Sequence, residues 1–478
     1  MRQALPGHEC RFVMADSMQD WAVERGVPGE EIAAIREEEL REASGADPVN
    51  WNRYWFEGWF GPEEAEAAGR FLAGVLGGFE PEIVLTHSPA PFLRAVYPEA
   101  TLLHYESGLL KFPPFPMSFY FDAEGFFGQS SLANRAAALR GLSIDSVRQA
   151  RLDALRKLFL DELLAAKSPF RELMRKHGER FPRRILLPLQ FNNFFGFDSN
   201  CPFRSQFEYA RWVLERVPPD IGVVMTQHVY FERLEEEALE FLKSRFANLI
   251  HEPLFDDYNT ASQFLLGDVD AVVTVTSSVG MQSLWWRKPL IAVGSSHLVA
   301  AADGSDPAEV GEIIERGWQP WKDALLYWLL TRYYVPAAYV YSPEWLPGFL
   351  EKMRAGGEAE AIDADERVME TIAAGVIRDI GRPAGNPHRA FEIAAQERLE
   401  ALERLQAEAD QRGRLLEECR QEAERREQLL REATAEAERR SAMVAEVTAE
   451  ADRRAKLIDE LTEAVRERDA RLSRRFWR

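Results

Sequence analysis

Apolar and polar positions alternate in two recurring patterns. In the first 165 residues, CRFVMAD, PEIVLTHS and TLLHY are short apolar runs of strand length, whereas EEIAAIREEELREA and PEEAEAAGRFLAGVLGGF repeat their apolar positions at helical spacing. A helical stretch over Leu132–His177 follows, and then a second set begins. RRILLPLQ, IGVVMTQH, ANLIHEP and DAVVTVTSS read as buried strands, with helices over Ser205–Arg216 and Phe231–Phe246 between them. Strands alternating with amphipathic helices predict an α/β fold of two Rossmann-like domains facing across a cleft, residues 1–165 and 166–381, with ligand at the carboxyl ends of the strands. The Trp- and Tyr-rich helical segment Glu309–Ile380 is expected to close the second domain and cross back over the first.

The pattern then changes. Pro and Gly punctuate Arg382–His388 as a linker, and residues 389–478 are rich in Ala, Glu, Arg and Leu without a proline, a long α-helical coiled-coil tail. Leu402, Leu416, Leu430, Val444, Ile458 and Leu472 recur at intervals of fourteen, two heptads, and Cys419, Ala433, Val447 and Leu461 fall three positions after the middle four. That is an a/d seam, interrupted by Arg426, Arg440, Arg454 and Arg468 in the same period. The stripe predicts self-association or docking of a partner protein; the alternative is a solvated helix laced with i,i+4 ion pairs. The terminal RLSRRFWR either touches anionic lipid or a partner, or frays.

Composition narrows the function. A chain of 478 residues has room for two α/β domains and an extension. A net charge of −20 repels nucleic acid, whose binding depends on Lys and Arg meeting phosphates, so none is expected as a partner. The N-terminus lacks a signal-peptide core and no apolar stretch is of membrane-spanning length, which predicts a cytoplasmic protein with at most peripheral contact at the inner membrane. Cys10, Cys201 and Cys419 are too scattered for a disulfide framework or a zinc site.

Candidate chemistry gathers at strand ends. In TVTSSVGMQSLWWRKPLIAVG, a buried strand delivers Thr276, Ser277, Ser278 and Gly280 into a turn that opens a helix near Met281, either an anion seat or an ordinary N-cap. Gln190 and Asp198 bracket the loop after LPL; Asp198 is a nucleophile or base there, or a turn former bonding its own backbone. His228 ends the next strand, placed to bond a phosphate or leaving oxygen or to sit as a structural histidine. Glu252 follows the strand after that, offered to ribose hydroxyls or to a helix N-terminus. From the first half, Glu106, Gly108 and Lys111 follow TLLHY, and Asp122 with Gly125 forms a turn. No metal site and no cofactor is expected.

Glu106-Ser-Gly108, Pro188-Leu-Gln190 with Asp198, His228, and Thr276-Ser-Ser-Val-Gly280 followed by Lys288-Pro289 resemble, in order, the capsule polysaccharide biosynthesis family, including its β-Kdo transferases. The resemblance runs from about Leu85 to Gly294 and excludes the tail. It implies a GT-B-like pair of domains and transfer of a sugar, Kdo from CMP-Kdo with retention in the family's best understood members, to a surface-polysaccharide or glycolipid acceptor. By the same resemblance Asp198 is the catalytic aspartate, His228 the family's histidine, Glu106 the acid of the Glu-x-Gly element and Lys111 its basic neighbour, while Ser277 and Ser278 hold the nucleotide. His228 is followed by Val229 in place of the usual proline, and the interval from Gln190 to Asp198 is wider than the pattern. Two other readings share this architecture: a non-catalytic binding scaffold assembled through the coiled coil, and a nucleotide-sugar epimerase or polyol-phosphate polymerase.

Overall fold

The computed structural model describes residues 1–44, 61–87, 89–90, 92–110, 116–160, 168–228, 233–256, 258, 261–356, 362–380 and 387–476. Near the N-terminus, Phe12–Ala15 (β1) and Ile32–Ile35 (β2) pair in parallel. Ile83–Thr86 (β3), Thr101–Ser107 (β4) and Ser118–Asp122 (β5) come next, then Arg183–Pro188 (β6), Ile221–Thr226 (β7), Leu249–Ile250 (β8), Ala271–Thr274 (β9) and Leu290–Ala292 (β10), and last Val335–Pro336 (β11).

β6 to β10 form a parallel sheet in the order β10-β9-β6-β7-β8. Read from β8, this is the 3-2-1-4-5 order of doubly wound α/β sheets. Between Arg183–Arg184 at the start of β6 and the threonines that end β7 and β9, the strands are apolar because both faces are covered. Ile185, Leu187, Val223, Met225, Val273 and Ile291 enter the core on one face, and their neighbours Leu186, Val224, Val272 and Leu290 enter the core on the other. Each side chain so buried contributes roughly 1.5–3 kcal/mol. The helix Gln206–Arg216 covers one of these faces and starts where the sequence placed it, with the Ser205 hydroxyl accepting the Glu208 N–H at 3.1 Å.

The first half differs from the expected parallel sheet. Its order is β11-β5-β4-β3, with β3 and β4 parallel but β5 antiparallel to both β4 and β11. The ten residues between Ser107 and Ser118 are too few for a parallel crossover, so β5 returns as a hairpin partner. The closing segment does cross back over the first half: Val335 and Pro336 lie opposite Phe119 and Ser118, and Tyr333 stacks on Tyr120 with ring centroids 5.5 Å apart. Leu103 and Phe121 consequently share one core with Leu186, Leu325 and Val376.

The chain resolves into two compact units, Met1–Ala390 and Phe391–Arg478. The linker expected at Arg382–His388 lies outside the described residues up to position 386, and Pro387–Phe476 is one continuous helix. From residue 411 its large apolar side chains are exposed, Leu416 at 71% and Leu430 at 68%.

Candidate functional site

In a 3-2-1-4-5 sheet the strand order reverses between the first and fourth strands, here β6 and β9, and a crevice opens beyond their carboxyl ends. A cavity of about 170 Å³ occupies that place. Its wall includes Gln190 after β6, Gln227 and His228 after β7, and the turn Thr276–Val279 after β9. Glu106, Ser107 and Gly108, at the end of β4, reach it from the other sheet.

The floor is fixed by side-chain amides. Thr276 donates its hydroxyl to Gln190 Oε1 at 2.6 Å, while the Gln190 N–H donates to Gln206 Oε1 at 2.9 Å. Gln206 N–H in turn donates to Asn192 Oδ1 at 2.9 Å, so the loop after β6 is tied both to β9's turn and to a helix start. Glu106 Oε1 accepts from the Ser107 N–H at 2.7 Å and the Ser107 hydroxyl at 2.5 Å, and Oε2 lies 3.5 Å from His87 Nε2. Gly108 cannot carry a side chain here, because a Cβ would stand 2.5 Å from the Tyr334 ring and 2.7 Å from Ser118 Oγ.

The serine turn is tighter than expected. The helix after it starts at Val279, two residues early, and runs only to Gln282. Ser277 Oγ accepts from Val279 N–H at 3.4 Å, and the carbonyls of Ser277 and Ser278 accept from Gly280 and Gln282 at 2.9 and 3.0 Å. One helical turn supplies little macrodipole, so an anion here depends on the hydroxyls and backbone of Ser277 and Ser278. Gly280 stands behind the wall rather than in it. A Cβ at that position would meet Leu298, Thr274 and Leu290 within 3.2 Å, so its work is close packing of the turn on β9 and β10.

Two histidines border the cavity. His228 meets Phe191 edge to face at 5.5 Å. His297 packs on Phe127 at 5.6 Å with Nδ1 buried and unbonded, and burial lowers its pKa to about 4, so the ring is neutral at pH 7. Phe127 holds a left-handed backbone, φ +47°, next to Gly128, whose N–H donates to Asn200 Oδ1 at 3.0 Å. Gln227 is anchored from behind: its Oε1 accepts from Leu234 N–H at 2.8 Å and its Nε2 donates to Asp256 Oδ2 at 3.3 Å, which also lies 3.2 Å from His251.

Seven of the expected residues, Glu106, Gly108, Gln190, His228, Thr276, Ser277 and Ser278, therefore share one cavity. Others do not. Asp198 ends the one-turn helix Phe195–Asp198 and is absent from the cavity wall; its charge instead adds to the pressure on the Cys201 thiol, which burial pushes up to about 12. Glu252, expected near ribose, bonds His177 Nε2 at 2.7 Å away from the wall. Lys111 lies outside the described residues. Asp122 makes the expected turn, accepting from Glu124 and Gly125 N–H at 2.8 and 3.2 Å. Gln227, Ser262, Gln263, His297 and Tyr334 line the cavity without having been singled out. Gln227 adjoins His228 at a strand end and was within reach of the same reasoning; Tyr334 comes from β11's approach, which no local pattern announces.

A parallel α/β sheet with a hydroxyl- and amide-lined cavity at its switch point defines a class of ligand-binding α/β proteins. Within that class, residues 162–299 match the family described as capsule polysaccharide biosynthesis protein. This stretch contains β6 to β10 and the serine turn, and it leaves Glu106 outside. No curated protein matches the chain. Among solved structures, the β-Kdo 2,7 transferase of Thermosulfurimonas dismutans KpsC is similar at 16% identity over 59% of this chain and 87% of its own, with a TM-score of 0.36. The β-Kdo 2,4 transferase of the same protein is similar at 15% over 58% and 88%, TM-score 0.32. The UDP-GlcNAc 2-epimerase of Neisseria meningitidis is similar at 15% over 77% and 93%, TM-score 0.24. Likenesses this distant assign neither donor nor acceptor. Among the described residues no helix is long and apolar enough to cross a membrane, and no cluster of three His, Cys, Asp or Glu side chains is placed to hold a metal.

Proposed function

We propose that the protein is a glycosyltransferase of capsule-type polysaccharide synthesis, with the two halves of residues 1–381 acting as GT-B-like lobes around the cavity. The observation that carries this reading is the meeting of Glu106 with the Ser277–Ser278 turn, Gln190 and His228 in one cavity, within a chain whose residues 162–299 match that family. A nucleotide-sugar seated there has its phosphate on the serine turn and His228, and its sugar toward Glu106. The bond between the anomeric carbon and the phosphate oxygen breaks, and the nucleotide departs with the electron pair. The acceptor hydroxyl gives its proton to Glu106 as its oxygen bonds to that carbon.

The finer reading is Kdo from CMP-Kdo, transferred with retention to a surface-polysaccharide or glycolipid acceptor at the inner face of the membrane. Retention by double displacement calls for a second carboxylate at the reacting carbon. Asp198 fills that role when the loop after β6 turns inward on donor binding: its carboxylate bonds the anomeric carbon as the nucleotide leaves, and the acceptor oxygen, losing its proton to Glu106, then displaces it and frees the carboxylate. The test is transfer of radiolabel from CMP-, UDP- and GDP-linked sugars to a lipid-linked acceptor, in the native chain and in Asp198→Ala. The reading expects a CMP-sugar to be used, and expects Asp198→Ala to lose transfer while keeping the thermal stabilisation that the donor confers. Full activity in that variant removes Asp198 from the mechanism. The position of Asp198 off the wall favours one second reading, a nucleotide-binding scaffold assembled through the tail. Stabilisation by nucleotide with no transfer from any donor would establish it.

A further inference from the structure

The helix Pro387–Phe476 repeats itself in units of fourteen: LLEECRQEAERREQ starts at Leu415, LLREATAEAERRSA at Leu429 and MVAEVTAEADRRAK at Met443. Leu416, Leu430, Val444 and Ile458, second in successive units, are all exposed by 62–71%, and Leu472 by 43%. Fourteen residues are four turns of 3.5, not 3.6, so on a straight helix the row slides round the surface by about 20° per heptad, on the order of 160° between Leu416 and Leu472. The row becomes a continuous seam only when the helix supercoils about a partner of the same pitch, and another copy of the repeat has that pitch.

We propose that this helix pairs antiparallel with the same helix of a second copy of the chain. The arginines decide the direction. In a parallel, in-register pair, Arg426, Arg440, Arg454 and Arg468, all at d, each face their own copy in the seam. In an antiparallel pair a faces d, and one register sets Leu430 on Leu461, Val444 on Val447, Ile458 on Ala433 and Leu472 on Cys419, leaving Val465 to meet Arg426 and Leu416 to meet Arg475 toward the ends. The same register seats Arg440 over Ala451 and Arg454 over Ala437 of the second copy. An alanine opposite leaves room for the arginine stem to lie along the seam with its guanidinium at the edge. The edge already holds carboxylates, since Glu436 pairs with Arg440 at 2.9 Å and Glu450 with Arg454 at 2.9 Å within the helix. Toward the ends of the paired stretch the register brings Glu422 beside Arg471 and Arg420 beside Asp469, opposite charges in both places.

Light scattering on the full chain, with Cys10→Ser and Cys201→Ser so that Cys419 alone remains, is expected to give twice the 54.6 kDa chain mass. A monomer at micromolar concentration overturns the pairing. In a glutathione redox buffer this protein is expected to stay free of interchain disulfide, and the same protein with Leu472→Cys to form one, because the facing layers bring the two Cβ atoms within disulfide reach. A Cys419 to Cys419 link in the first protein reveals a parallel pair and overturns the direction. A second reporter, Ala433→Cys with Ile458→Cys in a chain also carrying Cys419→Ser, samples an inner layer that end fraying does not disturb, and failure to link in a dimer overturns the register. None of these readouts involves sugar transfer.

Discussion

Glu106 is the one proposed catalytic group whose neighbours can be counted: two donors from Ser107 on one oxygen and His87 at 3.5 Å from the other. Glu106→Gln preserves the shape and removes the proton acceptor, so transfer should fall by about 10²–10⁴-fold while the donor still binds, measured as kcat against donor-induced thermal shift. Unchanged kcat would end its role as base. His297 makes a different prediction. Its folded pKa of about 4 lies below the ordinary 6.5, so between these values the unfolded chain takes up a proton that the folded chain does not. Stability from this source is complete above pH 6.5, declines as pH falls through the window, and its loss amounts to at most about 3 kcal/mol. His297→Gln should flatten that part of the urea-denaturation profile; parallel profiles for both proteins would refute it. At this scale the sequence was legible where a chemistry-bearing residue ends a buried strand, as His228 and Ser277 do, because the strand fixes where it emerges. It was illegible for Asp198 and Glu252, whose placement follows from a one-turn helix and from His177, seventy-five residues earlier.

Strands and helices were legible where periodicity alone sets them, and less so where distant charges hold them. The five-stranded parallel sheet followed from apolar runs and capped helices, but the antiparallel β5 followed from a connection too short to cross over, and β11 from a pairing two hundred residues away in sequence. A buried ion network fixes the helices behind the cavity. Asp323 Oδ1 accepts from Arg156 at 2.7 Å and Oδ2 from Arg287 at 2.7 Å, joining the helix Trp321–Trp328 to Ser146–Lys157 and to the segment after the serine turn. Arg156 and Asp323 are each 7% exposed in their side chains. Asp323→Ala takes from the buried Arg156 guanidinium its buried carboxylate and leaves it only the half-exposed Asp153, at 3.0 Å, and should cost up to about 3–5 kcal/mol in urea unfolding. Arg156→Met with Asp323→Leu removes both charges and should recover most of that loss. A double variant as unstable as the single one would show that the network specifies packing rather than balancing charge.

The whole chain consists of a body, Met1–Ala390, and a helix with separate demands. Among the described residues the apolar cores are built from residues no later than Val376, and the shared core already joins both sheets, so Met1–Ala390 is expected to fold without residues 391–478. Among its described residues the helix has no such core. Its stabilising contacts within one chain are i,i+3 and i,i+4 ion pairs such as Glu422 with Arg426, each contributing roughly 0.2–0.5 kcal/mol, against a row of exposed apolar side chains. A chain ending at Ala390 should therefore unfold in one cooperative transition at the same urea midpoint as the body of the full protein, and should keep its turnover on a small soluble acceptor. It should also run as a monomer at concentrations where the full chain is dimeric. Loss of the cooperative transition would mean that the tail completes the body's fold. Loss of turnover with the transition intact would mean that the tail acts in catalysis, and a dimer persisting without it would move the self-association surface to the body. The comparison discriminates because the two units draw on different physics: one holds its stability in buried cores, the other must find its own by pairing.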